Sequence, residues 1–336
     1  MPAANLSERF KLMSKWFFIL AICLYFFPGA KLLAESDKAS EVIFLLVDKK
    51  TLTAELKTWP ADPLKAETLM KLRIAIGKAH GDKEKEGDNK TPEGIYFTSH
   101  IIDGKGLPAK YGPFAIPINF PNEFDLKQGK TGYGIWLHGV EKDARVEEAN
   151  VTEGCVAFYN ADIVSLAKWS KPKQTLVVIT DDASTVNDAF DHNAVLRATR
   201  KWQGDWQDRD IDAYISNYAS DFKYERKKRA AYKRYKSRVF DSYKSMQVDF
   251  TNLRVFTHKK YAVAIMNQDF NGDDRYVSAG RKILYWTKEK GQWRISHEVY
   301  EDESFETQSY SKKLFAKLSQ SSPSTLRLEK DYESKL

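Results

Sequence analysis

Only two cysteines, Cys23 and Cys155, occur in the 336 residues. A disulfide-stapled scaffold and a four-thiolate zinc or iron–sulfur site are therefore excluded. Histidine is nearly as scarce, with six residues, and none falls in a His-Glu-x-x-His or paired His/Cys spacing. The sequence thus calls for no metal and no cofactor. Glycine (17) and proline (11) are too few for a collagen-like or linker-dominated chain. No apolar run reaches the roughly 20 residues of a bilayer span. What remains is the composition of a folded protein, 42% hydrophobic and 29% charged, long enough for two ordinary domains.

The amino terminus accounts for one of the cysteines. Arg9, Lys11 and Lys15 precede Trp16–Phe27, twelve residues without a charge. Pro28-Gly29-Ala30 breaks this run, and Leu32-Leu33-Ala34 is a small-residue cleavage site. That order describes a secretory signal peptide over residues 1–34. It predicts a periplasmic protein, with an uncleaved inner-membrane anchor as the alternative. Cys23 lies inside the apolar run, so cleavage leaves Cys155 alone. A lone thiol is either buried and inert or held reactive for chemistry.

The net charge of +7 is unevenly placed. Residues 35–185 are slightly acidic, with 20 Lys and Arg against 23 Asp and Glu, while residues 186–336 hold 29 against 22. The basic excess therefore belongs to the second half, and a whole-chain pI is no argument for nucleic acid.

Residues 35–185 read as β-rich. Glu41–Val47 is an apolar run, and Thr51–Leu56 alternates and pairs with it as a hairpin. Pro63–Gly77 has helical spacing in Leu64, Leu69, Leu72 and Ile76. A polar loop from His80 to Gly94 follows, then strands at Gly94–Ser99 and Gly134–His138, a helix at Ala161–Trp169 and a strand at Thr175–Thr180. No βαβ alternation is sustained, which excludes a doubly wound nucleotide-binding sheet.

Residues 186–303 begin with a helix over Asp188–Trp206, with Phe190, Val195, Leu196 and Trp202 as its apolar candidates. A short helix near Ile211–Tyr218 follows. Four strand-like segments come next, at Gln247–Phe256, Tyr261–Phe270, Tyr276–Trp286 and Gln292–Tyr300. Gly272-Asp-Asp274 and Lys290-Gly291 mark hairpin turns. Helices followed by an antiparallel meander describe an α+β cone. Trp202, Trp206, Tyr214, Tyr218, Trp286 and Trp293 are its core or the lining of a sugar-binding cavity. Lys223–Arg238 interleaves basic residues with tyrosines, as a solvated helix face or a site for an anionic glycan or other envelope polymer. In a secreted protein no nucleic-acid partner is expected. Residues 304–336 form a polar tail. His80, His100, His192, His258 and His297 are read as surface or packing histidines.

The chemistry concentrates between residues 138 and 155. His138-Gly139 ends a strand, and Thr152-Glu153-Gly154-Cys155 is a loop leading into Val156-Ala-Phe158. A thiol becomes an effective nucleophile when an imidazole takes its proton and backbone N–H groups await the oxyanion. Taken alone, a Cys/His pair 17 residues apart is also compatible with a buried cysteine and an unrelated histidine.

A family pattern weights the choice. His-Gly, a gap, then Ser/Thr-His-Gly-Cys resembles the murein L,D-transpeptidases of the YkuD family, and so does the upstream Gly-Asp-x-Lys-Thr-Pro-x-Gly loop, here Gly87–Gly94. The resemblance spans residues 41–180. It implies a YkuD-like β-sandwich with short helices, Cys155 as acylated nucleophile and His138 as base. The Gly139 carbonyl would orient the imidazole, and amides near Gly154 and Cys155 would bind the oxyanion. Glu153 replaces the second His of the pattern, and Ala157 stands where typical members have Arg. Thr152-Glu153-Gly154-Cys155 joined to a helix-plus-sheet domain resembles the L,D-carboxypeptidases that trim murein tetrapeptides to tripeptides and set cell curvature. Their second domain is NTF2-like. The same acyl-enzyme could instead cross-link stem peptides, and a non-catalytic murein-binding protein is the third reading. Dimerisation of those relatives involves a segment before the catalytic domain for which Ala34–Glu41 leaves little room, so it is not carried over.

Overall fold

The computed structural model describes residues 42–60, 65–186 and 188–302. The expected signal, the first residues of the predicted helix at Pro63 and the tail from 304 lie outside the described residues. The first domain contains β1 (Ile43–Asp48), β2 (Thr53–Thr58), β3 (Thr68–Gly77), β4 (Gly94–Phe97), β5 (Ile102–Asp103), β6 (Phe114–Pro117), α1 (Glu123–Lys127), β7 (Trp136–His138), α2 (Ala144–Glu147), β8 (Asn150–Thr152), β9 (Val156–Phe158), α3 (Asn160–Trp169) and β10 (Leu176–Thr180). The strands form one sheet in the order β4-β10-β1-β2-β3-β9-β7-β6-β5, with β8 added beside β3. A bridge between Thr98, just after β4, and Ile118, just after β6, curls the sheet so that its first strand meets the strand next to last. The sandwich is therefore one curled sheet. Its interior holds Leu45, Leu56, Ile74, Ile116, Leu137, Val156, Phe158 and Val177, and α3 adds Ile163 and Leu166.

The predicted helix ending at Gly77 is a strand. Leu72, Ile74 and Ile76 point into the core while Lys71 and Arg73 face water, a period of two. Leu69, Leu72 and Ile76 fit a helical period by coincidence. The β-branched residues and the pairing with both β2 and β9 decide for the sheet.

The second domain consists of α4 (Ala189–Gln207), α5 (Ile211–Ser216), a hairpin of β11 (Lys223–Tyr224) and β12 (Lys227–Lys228), α6 (Arg229–Asp241) and four strands. These are β13 (Met246–Thr257), β14 (Ala262–Gly272), β15 (Tyr276–Glu289) and β16 (Gln292–Asp302), an antiparallel meander in sequence order. Asp188 caps α4 by accepting from Asp191 N–H, and His192, Val195, Thr199, Trp202 and Trp206 form its buried stripe. Phe190, expected on that stripe, is 76% exposed because it lies off the three-and-four spacing. Trp202, Trp206, Tyr214, Tyr218 and Trp286 are core residues of the cone, while Trp293 packs at its edge. Within that core Glu298 pairs with Lys282, 3.2 Å away, and accepts from Tyr232 Oη. Burial opposes its charge, but Lys282, Lys236 and Tyr232 hold it below the usual carboxylate value. Among the described residues no helix is long and apolar enough to cross a membrane.

The two sheets meet back to back. Phe44, Ile95, Phe97, Leu176 and Val178 leave the outer face of the first sheet and pack against Phe256, Tyr261, Val263, Ile283 and Tyr285 of the second. This covers β1 and β10 on both faces, which is why they read as continuous apolar runs rather than alternating ones. Phe44, Trp59 and Phe256 make mutual edge-to-face contacts at 5.1–6.2 Å, each worth about 0.5–1.5 kcal/mol beyond area burial. Strand β4 is the edge of the first sheet, and Tyr261 closes it. Its hydroxyl accepts from Ile95 N–H at 2.6 Å and donates to Ile95 O at 3.0 Å, while Asn122 Nδ2 donates to both oxygens. Tyr261→Phe leaves the buried Ile95 N–H without a partner. Urea denaturation should show a loss of about 1–3 kcal/mol, and an unchanged midpoint would remove Tyr261 from the account of the seam.

Candidate active site

Strands β7 and β9 lie side by side in parallel, with Leu137 opposite Val156 and His138 opposite Ala157. Leu137 and Val156 point into the core. The alternate positions Trp136, His138, Cys155 and Ala157 therefore leave the other face of the sheet, which brings the expected base and nucleophile onto one surface. Trp136 N–H donates to Cys155 Sγ at 3.4 Å, and the thiol donates to Gly134 O at 3.5 Å. Buried His138 places Nδ1 against Gly139 O. A carbonyl only accepts, so Nδ1 carries the proton and Nε2 keeps a free lone pair.

Around this pair the predicted loops have defined parts. Thr152 Oγ1 donates to Cys155 O at 2.7 Å and accepts from Gly154 N–H at 3.1 Å, which closes the turn before the cysteine. The Gly154 amide expected to face an oxyanion is thus engaged by Thr152 in this state. Gly154 has φ of +127°, and a Cβ there would lie 2.8 Å from Lys90 O, so only glycine fits. Glu153 is exposed. Ala157 is fully buried in a cluster with Ala75, Val140 and Val146. The Gly87–Gly94 motif builds the wall behind Gly154. Asp88 accepts from Lys83 and from the N–H groups of Glu84, Lys85 and Lys90, and Thr91 Oγ1 accepts from Gly77 N–H.

Three neighbours were not singled out in the sequence. Tyr111, in a 3-10 turn at Ala109–Tyr111, packs on Trp136 at 4.9 Å and edge-on against His138 at 5.1 Å. Lys110 lies over the Tyr111 ring. Asn160 Oδ1 accepts from Val140 N–H and so fixes the turn after His138. Tyr111-Gly112-Pro113 signals a turn, but no spacing ties it to His138. His80 and His100 are exposed, and no metal-binding group of three or more His, Cys, Asp or Glu forms among the described residues.

Residues 44–179 match the L,D-transpeptidase catalytic domain, YkuD, and residues 194–299 match the Cds6 C-terminal NTF2-like domain. The chain carries a YkuD catalytic domain and an NTF2-like domain. It is similar to the structure of Bd1075 from Bdellovibrio bacteriovorus, at 26% identity over 80% of this chain and 95% of that one, with a TM-score of 0.69. It is also similar to the helical cell shape determining protein Pgp2 from Campylobacter jejuni, at 26% identity over 77% of this chain and 92% of that one, with a TM-score of 0.64. Comparison with curated proteins returns no match.

The electrostatics of the YkuD domain set the resting proton inventory. Burial pushes the Cys155 thiol up to about 11, with Glu153 adding to the shift and Trp136 N–H, Lys110 and Lys83 opposing it. Burial pushes His138 down to about 4, and Lys110 and Arg145 add to this while the Gly139 carbonyl opposes it. At neutral pH both groups are uncharged. The arrangement suits proton transfer from sulfur to Nε2 during attack rather than a preformed ion pair. Because the thiol value is raised, its thiolate fraction climbs about tenfold per pH unit toward 11. Iodoacetamide alkylation of Cys155 should follow that rise from pH 6 to 10. A plateau below pH 7 would mean a thiolate–imidazolium pair instead.

Proposed function

We infer that the YkuD domain makes this chain a peptidoglycan-acting enzyme. We propose that this one is a periplasmic L,D-carboxypeptidase that trims murein stem tetrapeptides to tripeptides through a Cys155 thioester. The observation that carries the reading is the shared face of His138 and Cys155, with Nδ1 tied to the Gly139 carbonyl and Nε2 left as base. In the first step Nε2 takes the thiol proton while sulfur attacks the carbonyl at the L-centre of meso-diaminopimelate. The C–N bond then breaks, and His138 returns the proton to the departing D-alanine amine. Water, deprotonated by the same imidazole, hydrolyses the thioester. Transpeptidation differs only in admitting the amine of a second stem peptide in place of water.

Lys110 and Arg145 are the cations whose fields reach His138, and they suit the terminal carboxylate of the tetrapeptide donor, which carboxypeptidation and transpeptidation share. One feature favours the carboxypeptidase. The similar Pgp2 is a cell shape determining protein, and trimming stem peptides is a direct way to alter wall curvature. The second domain adds a basic surface. Lys223, Arg226, Lys228, Arg234 and Arg238 are exposed along the β11–β12 hairpin and α6, and we assign this face to an anionic glycan or other envelope polymer.

Incubating the protein with disaccharide-tetrapeptide and reading the products by mass spectrometry tests the assignment. Tripeptide is expected. Cross-linked dimer would establish the transpeptidase, and murein binding without turnover would leave a non-catalytic binding protein. Cys155→Ala and His138→Gln should each lower tripeptide release by about 10³-fold or more. Turnover that survives Cys155→Ala overturns the nucleophile assignment.

A further inference from the structure

We infer that Lys259 and Lys260 of the NTF2-like domain are positioning residues for the loop that backs Cys155. They lie on the turn between β13 and β14, which reaches across the seam to the stem of the loop spanning residues 80–93.

Two carboxylates stand at the ends of that loop, Asp82 and Glu93, and Glu93 N–H donates to Asp82 Oδ1 at 2.7 Å to tie the ends together. Each carboxylate is paired with lysines of both domains, and Lys260 also stands 4.0 Å from Glu93 Oε2. Asp82 Oδ2 is held by Lys130 at 2.6 Å and by Lys260. Glu93 is held by Lys49 through Oε1 at 3.0 Å and by Lys259 through Oε2 at 2.8 Å. Lys49 also donates to Gly81 O and Thr91 O. The Lys49 and Glu93 side chains are 4% and 5% exposed, so these charges are set in low dielectric, where losing one partner matters.

The loop so pinned meets the sulfur by two routes. Lys90 O lies against Gly154, where no Cβ fits. On the other side Thr131 N–H donates to Glu84 O and Glu86 N–H to Thr131 Oγ1. This fixes the 131–134 segment whose Gly134 carbonyl accepts from the thiol. The loop has little regular secondary structure of its own, and half of the charge at its stem is supplied by the second domain. That domain is thereby a part of the active site's scaffold. The inference rests on Cys155 as the reactive thiol of the proposed function.

The test uses the full chain with Lys259→Ala and Lys260→Ala combined. Three readouts are needed: kcat and KM for tripeptide release, the iodoacetamide alkylation rate of Cys155, and hydrogen exchange over residues 83–91 and 131–134. With the clamp removed, kcat should fall about tenfold, equivalent to ~1.4 kcal/mol, while KM changes by less than about twofold. Alkylation and exchange in both segments should accelerate. The double Lys→Arg variant should restore all three. Tyr261→Phe serves as the control, since it weakens the seam without removing either lysine, and should leave kcat and alkylation near wild type. If the alanine variant melts below the assay temperature, Lys259→Ala alone, at the more exposed lysine, is read instead. A folded variant with wild-type kcat, alkylation and exchange overturns the inference. If the wild-type protein turns over no tetrapeptide, alkylation and exchange still decide the clamp, and only the proposed reaction fails.

Discussion

The back-to-back contact of two sheets is the constraint from which the rest follows. A half-exposed strand alternates, but β1 and β10 must be apolar on both faces because the curled core lies on one side and Phe256, Tyr261 and Val263 on the other. The edge strand β4 would present bare N–H and C=O groups. Instead Tyr261 and Asn122 satisfy Ile95 in place of a further strand. Gly94 fits the same geometry, since a Cβ there would meet the Tyr96 and Tyr261 hydroxyls at under 3 Å. The second domain is thus built into the first rather than tethered to it.

That dependence explains what was legible. The run Ile43–Val47 announces a strand whatever covers it, and the Gly272 and Lys290-Gly291 turns announce the meander. Local signals place His138-Gly139 at a strand end and Gly154-Cys155 on the loop before β9, while the chemical roles of His138 and Cys155 come only with the family resemblance. Lys110 and Tyr111 were not legible, because they reach His138 through packing between segments with no shared spacing. The Pro63–Gly77 misreading has the same root. Leu72 and Ile76 fit both a helical period and a period of two, and only the partners of β3 in the sheet separate them. Phe190 failed in the opposite way, as an apolar side chain beside a helix stripe that the remaining spacing already completes.

The Gly87–Gly94 motif looks different once the hydrogen bonds are known. Asp88 gathers one lysine and three N–H groups, Thr91 holds Gly77, and Glu93 meets lysines from both domains. None of these contacts is to the sulfur itself. The motif's residues shape a wall, and its chemistry is indirect. A sequence pattern near a proposed nucleophile therefore need not contain further reacting groups.

The neutral resting pair gives this scaffolding its consequence. A preformed thiolate–imidazolium pair would hold itself together by charge and tolerate a loose surround. Here the thiol is hydrogen-bonded to Gly134 O and the imidazole to Gly139 O, so both stay uncharged until a carbonyl arrives. In the proposed reaction charge passes from sulfur to the substrate oxygen as the proton reaches Nε2, and it is stabilised only if donors and walls are already in place. Such a site draws its reactivity from preorganisation. The lysine-pinned loop, the Thr152 turn and the Tyr111 packing would provide it, and the first of these ties the basic accessory domain to the slightly acidic catalytic one.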